Sequence, residues 1–193
     1  MRNILSFCLA ALLLASCQTV NVPPPHPLSF TRYQPIYLNV GKIEIVDAYK
    51  SPMRLPNVEY LIPISPSDAM HSWVHDRLHP AGGDKMLEVI IHDGSVIATP
   101  LPQPDGFFTA SPDKRYDAKL DVEMRVYGGG AMSEASITAT ATRSITIPAD
   151  VSLAQRDEIL HHFIAGLMTS MNAELEKNIY RYFGSYIDYS KTP

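Results

Sequence analysis

Cysteine is almost absent from this 193-residue chain, which contains only Cys8 and Cys17. Cys8 lies inside an apolar N-terminal run, and no cysteine follows Cys17. The chain beyond Cys17 therefore has no thiol for a disulfide, a thiolate metal site or nucleophilic catalysis. Stability must therefore come from an ordinary hydrophobic core, and the length suits one domain.

Catalytic and phosphate-binding motifs are absent as well. The chain has no G-x-S-x-G, S-x-x-K or H-E-x-x-H motif and no phosphate-binding loop. Asp121 and Glu123 share a predicted strand face with Lys119 and Arg125, which is typical of a solvated surface of mixed charge. We therefore expect a protein that is not an enzyme and that carries no cofactor.

Clusters of basic residues and long apolar runs are the other features that the chain lacks. Its formal net charge is −4 without any Lys/Arg cluster, so it has no electrostatic footprint for nucleic acid. The longest apolar run, Ile4 to Leu14, is too short to cross a hydrocarbon core about 30 Å thick, but it fits a secretory signal.

The end of that run carries the most informative pattern in the sequence. Leu14-Ala15-Ser16-Cys17 resembles a bacterial lipobox, which implies diacylation of Cys17 and a membrane anchor made of fatty acids. The alternative is an ordinary signal peptide followed by a chance cysteine. Gln18 stands where an aspartate would favour the inner membrane, so the resemblance implies the periplasmic face of the outer membrane.

The chain is expected to divide into three parts. Residues 1–16 form the signal peptide, and residues 17–35 form the lipidated N-terminus and a tether rich in proline. Residues 36–193 form a single α+β domain. Nothing in the pattern predicts an oligomeric state.

Hydrophobic periodicity predicts six elements in the order β-α-β-β-β-α. A capping box of Ser152 and Gln155 opens the last helix, and Gly184 is expected to end it with a positive φ. The predicted elements are a strand at Ile36–Tyr49, a helix at Pro66–His79, a strand at Met86–His92 that Val96–Ala98 continues, a hairpin at Tyr116–Ile147 and a helix at Ser152–Phe183. Their apolar faces predict two layers, a four-stranded mostly antiparallel sheet with both helices on one face.

The edge of the sheet and two further regions are candidates for binding a protein partner. The loop from Thr99 to Arg115 is long, has no obvious structure and carries Phe107 and Phe108. The C-terminus is crowded with aromatic side chains that a short chain cannot easily bury. The predicted partner-binding residues are Phe107, Phe108, Tyr182, Phe183 and Tyr186.

Histidines at positions 71, 75 and 79 give the best metal pattern, because imidazoles spaced four apart on a helix can reach one ion. The pattern lacks a carboxylate or cysteine at matching spacing. A partly solvated helix surface is the favoured interpretation, and no metal site is predicted.

The plan resembles the lipoproteins of the ABC-type transport auxiliary family, which includes partners of Pqi- and Mla-like lipid transporters. The resemblance lies in Ile45–Tyr49, in Val58–Leu61, and in Trp73 and Leu78. The order of elements is also similar to that of the lipoprotein that plugs the lipopolysaccharide translocon.

These resemblances imply an envelope lipoprotein that is an accessory subunit of a lipid or lipopolysaccharide transport system, with envelope transport proteins as partners. A structural or peptidoglycan-associated lipoprotein and a metal-binding periplasmic module are the alternatives.

Overall fold

The computed structural model describes residues 27–102, 113–128 and 132–192. Seven strands and two α-helices lie within these ranges. In chain order they are β1 (Ile36–Leu38), β2 (Lys42–Asp47), α1 (Pro66–Arg77), β3 (Leu78–Pro80), β4 (Met86–Asp93), β5 (Val96–Pro100), β6 (Lys114–Tyr127), β7 (Ser133–Ile147) and α2 (Leu153–Tyr182).

The main sheet has the order β2-β4-β6-β7. Strand β5 continues the line of β4 and pairs with the first part of β6, Lys114–Ala118, whereas β4 pairs with the second part. The pairs β4–β6, β5–β6 and β6–β7 are antiparallel, whereas β2 lies parallel to β4 because α1 crosses between them. Both helices contribute to the core on one face of this sheet. The predicted α+β class is therefore confirmed, and so is the continuation of the third predicted element by β5.

The first predicted strand is wrong in one respect, because it divides into β1 and β2. The break lies at Gly41, whose N–H donates to the carbonyl of Lys85 at 2.8 Å. A Cβ at this position would collide with the carbonyl of Gly83, so only glycine lets the two backbones approach so closely. β1 instead pairs in parallel with β3 in a separate two-stranded sheet.

Helix α1 begins where the sequence predicts and ends earlier. The Ser65 hydroxyl accepts from the Asp68 N–H at 3.1 Å and so caps the first turn. The helix ends at Arg77, and His79 lies in β3 rather than on the helix. Histidines 71, 75 and 79 therefore do not form the single helical stripe that the spacing predicts.

Helix α2 has 30 residues, which corresponds to about 45 Å. Its capping box is confirmed, since the hydroxyl of Ser152 accepts from the N–H of Gln155 while the Gln155 side chain accepts from the N–H of Ser152. The prediction for Gly184 is wrong: the helix ends at Tyr182 with Phe183 as its C-cap, and Gly184 begins a short 3₁₀ turn without a positive φ.

Small side chains allow α2 to lie close against β7. Ala139 and Ala141 are buried beneath the helix, and the guanidinium of Arg143 lies over Gly166. A Cβ on Gly166 would touch only the end of that flexible side chain.

A buried polar cluster joins α1 to α2. The side-chain oxygen of Asn172 accepts from the Trp73 indole N–H at 2.8 Å and from the Arg77 guanidinium at 2.7 Å. Arg77 is almost completely buried, donates to Glu176 at 3.1 Å and lies over the ring of Tyr33. The two helices are therefore held together by directional hydrogen bonds as well as by packing.

Residues before β1 also belong to the folded structure. Phe30 is buried in the core, and its N–H donates to the Asp76 carboxylate at 2.7 Å. Burial raises the pKa of Asp76, but the hydrogen bond from the Phe30 N–H and the neighbouring His75 outweigh it and lower the pKa overall. Phe30, which lies within the predicted tether, therefore packs against the domain.

Among the described residues, none of the helices combines the length and the apolar character needed to cross a membrane.

Candidate functional site

The segment between β2 and α1 is bound firmly to the free edge of β5. The Val58 N–H donates to the Val96 carbonyl at 2.8 Å, and the Ala98 N–H donates to the Pro56 carbonyl at 2.9 Å. These bonds use the edge of β5 that would otherwise be open to another strand. The sequence predicts only an extended connection here.

A buried carboxylate fixes the same segment from inside. Glu59 is 5 % exposed and accepts from the Tyr49 hydroxyl at 2.7 Å, the Ser51 hydroxyl at 2.5 Å and the Val96 N–H at 3.3 Å. Asn57 donates in turn to the Tyr49 hydroxyl at 3.2 Å. The loop therefore has a defined position relative to the ends of β2 and β5.

The pKa values of this network follow from burial and hydrogen bonding. Burial raises the pKa of Glu59, but the bonds from Ser51 and Tyr49 and from backbone N–H groups outweigh burial and lower the pKa overall. Burial and the adjacent Glu59 carboxylate raise the pKa of the Tyr49 phenol. Glu59 is consequently a carboxylate at neutral pH, with its donors already in place.

Beside this loop lies an apolar groove. Its other walls are the end of β5, the start of β6 and the start of α2. The groove has a volume of about 360 Å³, which lies within the range of small-molecule sites. It is lined by Leu55, Pro56, Val58, Leu61, Ile62, Ala98, Pro100, Lys114, Tyr116, Leu153, Arg156, Asp157 and Leu160.

Three leucines on two opposite walls of the groove face solvent. Leu55 is 72 % exposed, Leu61 is 62 % exposed and Leu153 is 75 % exposed. An apolar surface gathered in one concave place marks a binding site more often than scattered exposed leucines do. We will call this surface the leucine groove.

Two cations and one carboxylate line the leucine groove. Neither the ammonium of Lys114 nor the guanidinium of Arg156 has a hydrogen-bond or ion-pair partner within the described part of the chain. Among the described lining residues, Asp157 is the only acidic one. The charged groups that line the groove within the described residues therefore have a net positive charge.

A second, polar cleft lies on the other side of the Glu59 network. It has a volume of about 260 Å³, and its lining includes His71 and the carboxyl groups of Asp47, Glu59 and Asp68. Its carboxylates already have partners: Asp47 lies 3.0 Å from His71, and Asp68 accepts from Ser65 at 2.7 Å. These pairings stabilise local structure and leave few groups for a ligand.

The three predicted candidate histidines have separate partners. His71 lies against Asp47, His75 lies 3.1 Å from Asp76, and the His79 ring packs on Tyr37 with the ring centroids 5.2 Å apart. Within residues 27–102, 113–128 and 132–192, no three His, Cys, Asp or Glu side chains gather in a way that suits a metal ion.

The predicted aromatic contact residues occupy different environments. Tyr182 is 56 % exposed, whereas Phe183 is completely buried and is unavailable to a partner. Tyr186 is partly buried, packs edge-on against Phe183 and lies under the ammonium of Lys85. Exposed Tyr189 joins Tyr182 as a candidate contact.

The remaining candidate residues, Cys17, Phe107 and Phe108, lie outside the described residues. The described chain leaves β5 beside the leucine groove at Pro100 and returns to it at Lys114.

The mixed charges predicted on the outer face of the sheet are paired with one another. Arg125 contacts Glu123 through two hydrogen bonds of 2.6 and 2.7 Å, and His92 reaches the same carboxylate at 2.9 Å. Lys119 bridges Asp93 and Asp121. This surface therefore has the mixed-charge character that the sequence predicts.

No family model and no curated protein matches the chain. Similar solved structures include the crystal structure of a minor lipoprotein from Acinetobacter baumannii, which is 15 % identical over 75 % of this chain and 96 % of that chain, with a TM-score of 0.33. A likeness this distant carries no argument about fold or function. The two family resemblances therefore stay predictions.

Proposed function

We propose that this chain is a lipid-anchored, non-catalytic envelope lipoprotein that serves as an accessory subunit of a lipid or lipopolysaccharide transport system. Its place in the envelope rests on the short apolar run that ends in Cys17. Its role at that place rests on the leucine groove.

The observation that carries the proposed role is the fixed exposure of Leu55, Leu61 and Leu153. Burying a leucine side chain is worth about 1.5–3 kcal/mol, so keeping three of them in water is unfavourable for the isolated domain. A flexible loop would collapse over such side chains, but the Glu59 network prevents this one from doing so. A surface held open in this way favours binding an apolar ligand.

A separate surface suits the protein partners of the proposed system. Tyr182 and Tyr189 are 56 % and 62 % exposed near the C-terminus, and aromatic side chains are enriched where proteins contact one another. We assign the contact with transport subunits to these tyrosines.

Affinity purification from crosslinked membranes tests this function. The wild-type chain should recover subunits of a lipid or lipopolysaccharide transporter, and Tyr182→Ser/Tyr189→Ser should recover fewer of them. A Thr140→Ser/Thr142→Ser variant on the exposed outer face of β7 is the control. Recovery of peptidoglycan enzymes alone would contradict the transport role and support a structural lipoprotein.

The proposed lipid anchor at Cys17 has a separate test. Mass spectrometry of the mature protein should find a diacylated N-terminal Cys17. The variant Cys17→Ala should no longer incorporate labelled fatty acid. A mature N-terminus at another residue would contradict the lipid anchor.

A further inference from the structure

The walls of the leucine groove offer side chains but few backbone hydrogen-bonding groups. The N–H groups of Val58 and Ala98 and the carbonyls of Pro56 and Val96 are already bonded to one another. Proline supplies no N–H at Pro56 or Pro100. An extended peptide in this groove would therefore bury amide groups without partners, which is unfavourable.

An alkyl chain has no polar groups to satisfy and suits the same walls. The lining includes leucine, valine, isoleucine, alanine and proline side chains from three separate elements. A volume of about 360 Å³ is small for lipid A, which has several acyl chains, but it suits one chain of a simpler lipid.

The charged residues of the groove indicate which headgroup belongs with such a chain. Lys114 projects from the start of β6 and Arg156 from the first turns of α2, and both line the groove. Arg and Lys form strong charge-assisted hydrogen bonds with phosphate oxygens. The N-terminus of α2 adds positive potential on the same side, while Asp157 opposes it with one charge.

We propose that the leucine groove holds one acyl chain of an anionic membrane glycerophospholipid whose phosphate lies against Lys114 and Arg156. This inference names the ligand class of the proposed function and rests on that function only in placing the protein at a membrane.

Site-specific photocrosslinking in intact membranes tests the inference. The full chain carries p-benzoylphenylalanine in place of Leu61, is irradiated in the cell envelope, purified and digested, and its adducts are identified by mass spectrometry. Leu153 on the opposite wall is the second position. Thr142, on the exposed outer face of β7, is the control position.

We expect glycerophospholipid adducts at positions 61 and 153 and not at position 142, with anionic headgroups enriched over their share in the membrane. The variant Lys114→Gln/Arg156→Gln should reduce that enrichment by about fivefold for each cation removed. A control variant, Lys42→Gln/Lys177→Gln, removes two exposed cations far from the groove and should leave it unchanged.

Four outcomes would overturn the inference. They are a protein crosslinked at both groove positions, lipid A as the adduct, lipid adducts no more frequent than at position 142, and headgroup enrichment that is the same with and without the two cations. A failure to recover transport subunits through Tyr182 and Tyr189 would reject the transport role, whereas a lipid adduct at position 61 would still support the inference. The two failures are therefore distinguishable.

Discussion

The loop that forms one wall of the leucine groove should depend on the charge of a single buried side chain. Replacing Glu59 with glutamine keeps the size of the side chain but removes the negative charge and one acceptor oxygen. In the structure this carboxylate accepts three hydrogen bonds, from Tyr49, Ser51 and the backbone of Val96. The amide of glutamine can satisfy these donors only in part.

The expected loss follows from the energies of these bonds. A hydrogen bond to a charged group contributes about 1.5–3 kcal/mol, roughly twice the contribution of a neutral one, and a buried donor left without an acceptor costs about 1–3 kcal/mol. Rotation of the two hydroxyls recovers part of this loss. We therefore expect Glu59→Gln to lower the free energy of unfolding by about 2 kcal/mol at pH 7.

Urea denaturation followed by tryptophan fluorescence measures this quantity directly, because Trp73 is the only tryptophan and is completely buried. Glu88→Gln is the matched control: Glu88 also accepts from a tyrosine hydroxyl, that of Tyr127 at 3.1 Å, but it is only half-buried. We expect the control to change the free energy of unfolding by less than about 0.5 kcal/mol.

The same denaturation experiment at acid pH tests whether the negative charge of Glu59 is the cause of this loss. Since the pKa of Glu59 is lowered in the folded protein, its ionisation contributes stability above the pKa of the unfolded chain. That contribution is lost as the pH falls through the folded pKa, so the difference between wild type and Glu59→Gln should shrink below about pH 4. A difference that is equal to that of the control, or that does not change with pH, would refute the role assigned to this carboxylate.

Three further predictions follow from the rest of the fold. Asn172→Ala should lower the free energy of unfolding by about 3 kcal/mol, because it leaves two buried donors without an acceptor, whereas Asn178→Ala, which removes an exposed hydrogen bond to the Thr138 carbonyl, should cost less than about 1 kcal/mol; equal losses in urea denaturation would contradict this assignment. Gly166→Ala should stabilise the protein by up to about 1 kcal/mol in thermal unfolding, since its Cβ displaces only a flexible side-chain end, while Gly41→Ala should destabilise it by meeting a backbone carbonyl; the same sign for both would reject this reasoning. Because the pKa of Asp76 is lowered, its bond to the segment before β1 should weaken as the pH falls through the folded pKa; the protection of that segment from hydrogen exchange, relative to the unstructured chain at the same pH, should fall in acid, and Asp76→Asn should remove most of this pH dependence.

The parts of the fold that depend on periodicity could be predicted from the sequence. Strict alternation along β6 and β7 identifies the buried face of the hairpin, and the capping box at Ser152 identifies the start of α2. These signals are local, so no knowledge of distant residues is needed to interpret them. The break at Gly41 is different, because its cause is the carbonyl of Gly83 on another segment.

The leucine groove could not be predicted for the same reason. Its walls come from the Leu55–Ile62 loop, from the end of β5, from the start of β6 and from the start of α2. These segments are separated along the chain. The available signal was the presence of Leu55 and Leu61 among prolines and polar residues in a segment without regular structure. The aromatic content of the C-terminus predicted partner-binding residues there instead, but one of them, Phe183, is part of the core.

The attachment of the N-terminal segment limits where the proposed lipid can come from. If Cys17 is acylated, twelve residues lie between it and Phe30, which is held in the core and bonded to Asp76. A fully extended chain of that length spans at most about 45 Å, and proline-rich backbone is shorter. The domain therefore stays beside the membrane that anchors it, so its leucine groove should take lipid from that membrane. Lengthening the tether with a flexible Gly/Ser insert after Gln18 should then lower the yield of lipid adducts at position 61, and an unchanged yield would show that the anchor does not position the groove.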